Sequence, residues 1–160
     1  MKKLLLQQQV LAQLAQDLAQ AEQGARTAHE TATHEENIAE NKYDTLGLEA
    51  SYLATGQARR AQAIRQTMGQ WQQLRPRAYD ESQGIQLGAL VWLGDAQDQQ
   101  QRVFLGPEGG SMKLVLDGVS VQVISGSSPL GAALLGKQEG DEVAIQVGAS
   151  PQRFEVLRVD

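Results

Sequence analysis

The chain has 160 residues and no cysteine, which excludes disulfides, zinc-thiolate sites and thiol nucleophiles. Aromatic residues make up 4% of it, too few for a catalytic pocket built from aromatic rings. The formal charge of −5 is unevenly shared: residues 1–78 hold 9 Lys/Arg against 8 Asp/Glu and residues 79–160 hold 5 against 11, a poor balance for a general DNA coat.

Met1-Lys2-Lys3-Leu4-Leu5-Leu6 imitates the start of a signal peptide. The apolar run stops at Gln7-Gln8-Gln9, far short of a membrane span, and no small-residue cleavage site follows. A soluble, cytoplasmic protein with no membrane partner is expected.

The first long run places Leu4, Leu11, Leu18, Ala25 and Ala32 on one seven-residue series and Leu14, Ala21 and Ala28 on the interleaved one. Alternating steps of three and four are a coiled-coil seam, and its taper from Leu to Ala lets two helices approach closely at the far end. After a short break, Ala39, Tyr43, Leu46, Ala50, Leu53 and Gln57 continue the spacing. After a shift of phase Ala61, Ile64, Met68, Trp71 and Leu74 resume it, and Pro76 stops the helix. Two such runs predict an antiparallel hairpin over residues 1–77, roughly 45 Å long at about 1.5 Å per residue. Gly24, Gly47, Gly56 and Gly69 interrupt it and mark close packing or bending.

Between the runs lies an acidic patch, residues 33–41, at the exposed end of the expected hairpin. Thr33-His34-Glu35-Glu36 also fits a capping box, with Thr33 as N-cap and Glu36 reaching back. In that reading the carboxylates only complement the dipole of a first helical turn. His29 and His34 read as solvated helix residues, since neither has a second His at metal-ligand spacing. Arg59, Arg60, Arg65, Arg75 and Arg77 form a basic stretch free of acids. It suits a solvated helix face, single-stranded RNA or an acidic protein surface.

From residue 85 the period becomes strand-like, over 85–93, 101–105, 113–116, 119–124, 142–147 and 153–159. Asp117-Gly118 and Glu139-Gly140-Asp141 are turn signals. One short helix interrupts the strands, with Ser128 as N-cap, Pro129 at the first helical position and Gly136 ending it. The fold class is α+β, a helical hairpin followed by a small antiparallel sheet domain over residues 78–160 with one helix. Gly106-Pro107-Glu108-Gly109-Gly110 lacks the Lys-Ser/Thr of a P-loop.

The run Ser127-Ser128-Pro129-Leu130-Gly131-Ala132-Ala133-Leu134-Leu135-Gly136-Lys137, then Gly140-Asp141-Glu142-Val143 and Phe154-Glu155-Val156, resembles the C-terminal domain of bacterial Gre transcription elongation factors. The order of parts is similar too, a coiled-coil hairpin before an FKBP-like domain. The resemblance implies that the C-terminal domain, through the region of Ser128, Pro129, Gly136 and Lys137, binds bacterial RNA polymerase beside its secondary channel while the hairpin enters it. Acidic residues of the tip would then help hold Mg²⁺ in the polymerase active site, so that backtracked RNA is hydrolysed there; the protein would have no cofactor of its own and would not be an enzyme by itself.

The family's usual tip, Gly-Asp-Leu-Ser-Glu-Asn, falls on Glu36-Asn37-Ile38-Ala39-Glu40-Asn41. Glu40 and Asn41 match, while an amide, Asn37, replaces the first acid and Glu36 is the nearest substitute. The implied assisting residues are Glu36, Asn37 and Glu40, with Glu36 and Glu40 as metal ligands. Asn41, Arg59, Arg60 and Arg65 would contact the polymerase or the nascent RNA 3′ end, with no sequence-specific DNA binding. The altered tip leaves a second version open, a regulator that occupies the channel without stimulating cleavage. Two other readings are an FKBP-like prolyl isomerase or chaperone, for which Trp92, Phe104 and Phe154 supply few pocket aromatics, and a coiled-coil adaptor, which leaves the C-terminal pattern unexplained.

Overall fold

A computed structural model describes residues 2–34 and 46–160. The elements are α1 (Lys2–Thr33), α2 (Leu46–Gln73), β1 (Leu90–Asp95), β2 (Gln100–Gly106), β3 (Met112–Leu116), β4 (Val119–Ser125), α3 (Pro129–Leu134), β5 (Glu142–Val147) and β6 (Ser150–Val159). The chain forms two compact units, Met1–Leu11 with Gly69–Asp160, and Ala12–Met68.

In the second unit the two helices run antiparallel. Glu22 pairs with Arg65 at 2.8 Å, and Gly24 lies against Gln57, so α2 recedes as α1 advances. Within this unit Leu14, Ala21 and Ala28 are the buried positions of α1, while Leu18, Ala25 and Ala32 are half-buried at its flank. On α2 the covered positions include Ala50, Ala54, Gln57, Ala61, Ile64 and Met68, which form the seam, with Gly47 and Thr67 half-buried as well. The steps of four and three are unbroken, so the expected phase shift is absent: Ala54 holds the seam position assigned to Leu53, which is 56% exposed. A small side chain at that position suits the close approach of two helices that also face each other with Ala21 and Ala28.

The first unit holds the sheet, in the order β3-β4-β2-β1-β6-β5. The sheet is mixed: β2 and β4 are parallel, and the other four pairings are antiparallel. Asp117 and Gly118 both take positive φ, +53° and +76°, as a two-residue hairpin turn between β3 and β4 requires. That hairpin inserts β4 beside β2 and leaves β3 at the edge. Residues 85–89, read above as the start of a strand, are turns held by Ile85 N–H to the Lys137 carbonyl at 2.8 Å and Gly88 N–H to the Leu105 carbonyl at 2.7 Å.

One face of the sheet packs a core of Val91, Leu93, Val103, Leu105, Val143 and Val156 against Leu134 of α3. The opposite face is covered at one end by the helix termini of the same unit. Trp71, fully buried, meets Phe104 at 6.0 Å between ring centroids. Its indole occupies the space a side chain would need on Gly106 and Gly110. Gln7 Nε2 donates to the carbonyls of Trp71 at 2.6 Å and Leu74 at 2.9 Å, and Lys3 Nζ donates to the carbonyl of Arg77. The bond to Trp71 satisfies one of the orphan carbonyls in the last turn of α2, and the other two hold the segment that follows the helix. They also explain why the deep positions at the start of α1 are Lys3, Leu6, Gln7 and Val10, whereas Leu4, expected in the seam, is 43% exposed. The sequence boundary at 77/78 falls inside this unit, because the base of both helices packs with the sheet.

Candidate functional site

The acidic tip is the first candidate. Glu35, Glu36, Asn37, Ile38, Ala39, Glu40 and Asn41 lie outside the described residues, as does Tyr43. Of the expected capping box Thr33 and His34 are described, and Thr33 is the last residue of α1: its hydroxyl donates to the His29 carbonyl at 2.9 Å. Thr33 thus back-bonds the preceding turn of α1, while Glu35 and Glu36, on which the capping box depends, lie outside the described residues. No group of three His, Cys, Asp or Glu among the described residues could hold a metal ion. His29 is exposed on α1. Among the described residues no helix is long and apolar enough to cross a membrane.

Arg59 and Arg60 stand exposed on α2, while Arg65 is tied to Glu22 and to Gln62 Oε1. Arg75 turns back onto the end of α2, donating to the Gln72 carbonyl at 2.9 Å. The basic stretch thus divides, with its first two residues free for a partner and Arg65 serving the hairpin. Behind the tip, Leu48, Tyr52 and Leu53 are 53%, 70% and 56% exposed, a short apolar strip that the heptad reading did not separate from the seam.

The second candidate is the loop and helix that follow β4. Ser128 is the N-cap of α3, accepting from Gly131 N–H at 3.1 Å while its hydroxyl donates to the Ser125 carbonyl at 2.7 Å. Pro129 fills the first helical turn, where a missing N–H costs nothing. Gly131 follows from packing: a Cβ there would stand 1.9 Å from the Ser125 carbonyl oxygen. Gly136 ends the segment at φ +81°, and its N–H reaches the Ile85 carbonyl at 2.8 Å. Gly84, at φ +77°, has no room for a side chain because Gly136 lies against it. Gly140 also takes positive φ, +89°, so Gly131, Gly136 and Gly140 are each accounted for by a turn or a close approach.

What remains on the surface is a small mixed patch. Ser127, Pro129 and Lys137 are exposed, and Leu87 and Leu135, 43% and 39% exposed, approach each other over Gly126. Ser127 donates to Glu108 Oε1 at 2.6 Å, tying the loop to the Gly106–Gly110 segment. Of the four residues singled out from sequence, Ser128 and Gly136 shape this patch from within, while Pro129 and Lys137 face outward. Leu87 and Leu135 had no signal in the sequence, since lone apolar residues read as core.

Residues 82–160 match the family model described as "Transcription elongation factor, GreA/GreB, C-term". No curated protein matched the chain. Among solved structures, GreA factor homolog 1 (Gfh1) of Thermus thermophilus is 22% identical, with 94% of each chain covered and a TM-score of 0.40. Gfh1 of Thermus aquaticus is 22% identical over 95% of this chain and 92% of its own, at a TM-score of 0.41. A GreA/GreB transcription elongation factor from Nitrosomonas europaea is 18% identical over 61% of this chain and 78% of its own, at a TM-score of 0.38. By its C-terminal domain, which carries the capped helix and glycine pattern described above, the chain belongs to the GreA/GreB transcription elongation factor family.

Proposed function

We propose that this protein binds RNA polymerase through its C-terminal domain and places the hairpin tip in the secondary channel, where it stimulates cleavage of backtracked RNA. The observation that carries the reading is the family match over residues 82–160, the part that holds the surface patch of Pro129, Lys137, Leu87 and Leu135. Leu87 and Leu135 supply apolar area and Lys137 a cation, a mixture suited to a partner surface. Helices of 32 and 28 residues, roughly 48 and 42 Å at about 1.5 Å per residue, give the reach that a buried target requires.

At the tip, Glu40 and Glu36 offer carboxylate oxygens of the type that Mg²⁺ prefers, and Asn37 a neutral amide oxygen. A Mg²⁺ shared with the polymerase would supply charge stabilisation for phosphoryl transfer. The role of this chain's residues is to add acceptor oxygens and to orient water. Arg59 and Arg60 remain available to the extruded RNA or the channel wall.

The test is RNA cleavage in halted, backtracked elongation complexes with Mg²⁺ and either the native protein or its Glu36→Ala and Glu40→Ala variants. Shortened 3′ ends that appear with the native protein and vanish with the variants establish a cleavage factor with a displaced first acid. Absence of cleavage with continued displacement of a GreA/GreB factor makes it a channel-occupying regulator, the version favoured by Asn37. Absence of both overturns the proposal.

A further inference from the structure

The sheet ends in two edge strands, β3 and β5. An unpaired edge offers a row of backbone N–H and C=O groups to any extended chain, so edges are blunted by lysine, proline, a bulge or a covering element. β3 has two of these devices: Lys113 stands in it, and Gln9 Nε2 of α1 donates to its Val115 carbonyl at 3.4 Å. β5, Glu142-Val143-Ala144-Ile145-Gln146-Val147, has no lysine or proline and pairs with β6 in unbroken register along its whole length. Its single charge, Glu142, stands at its first residue.

The two ends of the β5–β6 pair set the phase of its backbone. Gly148, at φ +61°, and Ala149 form a two-residue turn between Val147 and Ser150, and at the other end Val156 N–H donates to the Asp141 carbonyl at 2.8 Å. Antiparallel pairs alternate between bonded and non-bonded, so Val143, Ile145 and Val147 turn their backbone groups to β6, while Glu142, Ala144 and Gln146 turn theirs outward. All three outward residues are exposed. The side chains form an apolar row on one face, from buried Val143 through half-buried Ile145 to Val147, which is 49% exposed. On the other face Glu142 stands directly opposite Glu155 of β6. Like charges in that position repel. Neither carboxylate belongs to an ion pair among the described residues, and nor does Arg153, which stands opposite Ala144 on the same face. Asp141 and Glu139 add negative charge at this end of the strand, each accepting a backbone N–H, from Gln138 at 2.9 Å and from Val159 at 3.0 Å.

We infer that β5 takes an extended basic segment of a partner protein as a further strand of the six-stranded sheet. Backbone bonds to Glu142, Ala144 and Gln146 hold the segment, and its alternate side chains give specificity. Apolar residues lie beside Val143, Ile145 and Val147, and a lysine or arginine opposite Glu142 relieves the repulsion with Glu155. Charge selects this occupant over a second copy of this chain. Antiparallel self-pairing centred on Ala144 sets Glu142 against the second copy's Gln146, which leaves the two carboxylates without a cation. The edge shares no residue with the hairpin tip or with the patch of Leu87, Pro129, Leu135 and Lys137.

The experiment uses the purified full chain without polymerase, so that its failure and that of the polymerase reading are distinguishable. The probe is a fluorescein-labelled peptide of alternating lysine and valine, matched to the 6 residues of β5 and followed by anisotropy. One control alternates glutamate and valine; another has the probe's composition in two blocks, which cannot present a basic face and an apolar face. The native protein binds the alternating basic peptide and neither control. Glu142→Gln weakens that binding about two- to fivefold, the worth of one cross-strand charge pair. Ala144→Pro abolishes it while the melting temperature stays near native, since that N–H faces away from β6. N-methylation of alternate peptide residues abolishes binding in one phase and spares it in the other, a readout that needs no variant of the protein. Equal binding of the block peptide, equal binding of both methylated phases, or no binding of the alternating probe overturns the inference. So does concentration-dependent sedimentation that Ala144→Pro removes while no peptide binds, which assigns the edge to a second copy.

Discussion

The indole of Trp71 lies where the side chain of residue 106 would be: a Cβ built on Gly106 stands 2.1 Å from Trp71 Cη2, and one on Gly110 stands 2.4 Å from Cζ2. A rigid, fully buried ring cannot yield that space. Gly106→Ala and Gly110→Ala are each expected to destabilise the protein by about 1–3 kcal/mol. Trp71→Ala, which empties the site, costs about 3–5 kcal/mol. Trp71→Phe costs less, because the indole Nε1 has no hydrogen-bond partner among the described residues and its removal leaves no buried donor unpaired. Urea unfolding followed by circular dichroism reads all four.

Two other glycines carry the opposite expectation. A Cβ on Gly56 or Gly69 meets nothing within 4 Å, and both sit inside α2. Gly56→Ala and Gly69→Ala should each raise stability by about 0.5–1 kcal/mol, since glycine in a helix interior loses more backbone entropy on folding than alanine does. An unchanged or lower melting temperature in both would show that these glycines serve a bend.

Ser128 and Gly131 test how the C-terminal patch is shaped. Ser128→Ala removes the cap of α3 and is expected to cost about 1 kcal/mol. Gly131→Ala meets the Ser125 carbonyl oxygen, which belongs to the end of β4 and cannot move freely, so it costs more. Polymerase binding by surface plasmon resonance should fall further for Gly131→Ala than for Ser128→Ala, because α3 itself must shift. Lys137→Ala, exposed, should weaken binding with little change in melting temperature.

Burial holds the Lys3 ammonium below the usual lysine value, an effect the Asp160 carboxylate partly offsets. A lowered folded value means that the folded state gives up its proton before the unfolded state does. Between that lowered value and 10.5 the unfolded chain binds more protons, so stability rises with pH across this window. Native protein should therefore show a more positive dependence of stability on pH just below 10.5 than Lys3→Gln does. Parallel curves from urea melts at several alkaline pH values would refute it.

Much of this protein is legible in the residues alone. Heptad spacing specifies two long helices, since a helix that buries one stripe must repeat every three or four residues. Asp117-Gly118 specifies its turn because glycine and, less readily, aspartate adopt positive φ. Ser128, Pro129 and Gly136 specify a short helix through local capping chemistry, and together they carry the family resemblance. Local rules act within a few residues of chain, so sequence suffices for them.

The tertiary structure decided what depends on contacts between distant segments. Leu4 and Leu53 fit the heptad as well as their neighbours do, but Gln7 bonding to Trp71 and Ala54 in the seam put both leucines in solvent. The parallel β2–β4 pairing follows from where the β3–β4 hairpin inserts, which no spacing in the sequence encodes. Arg65 was indistinguishable from Arg59 and Arg60 until Glu22 came within 2.8 Å of it. Trp92, Arg102 and Arg158 read as three unrelated strand residues, and only register and one extra residue in β6 bring them into a single row.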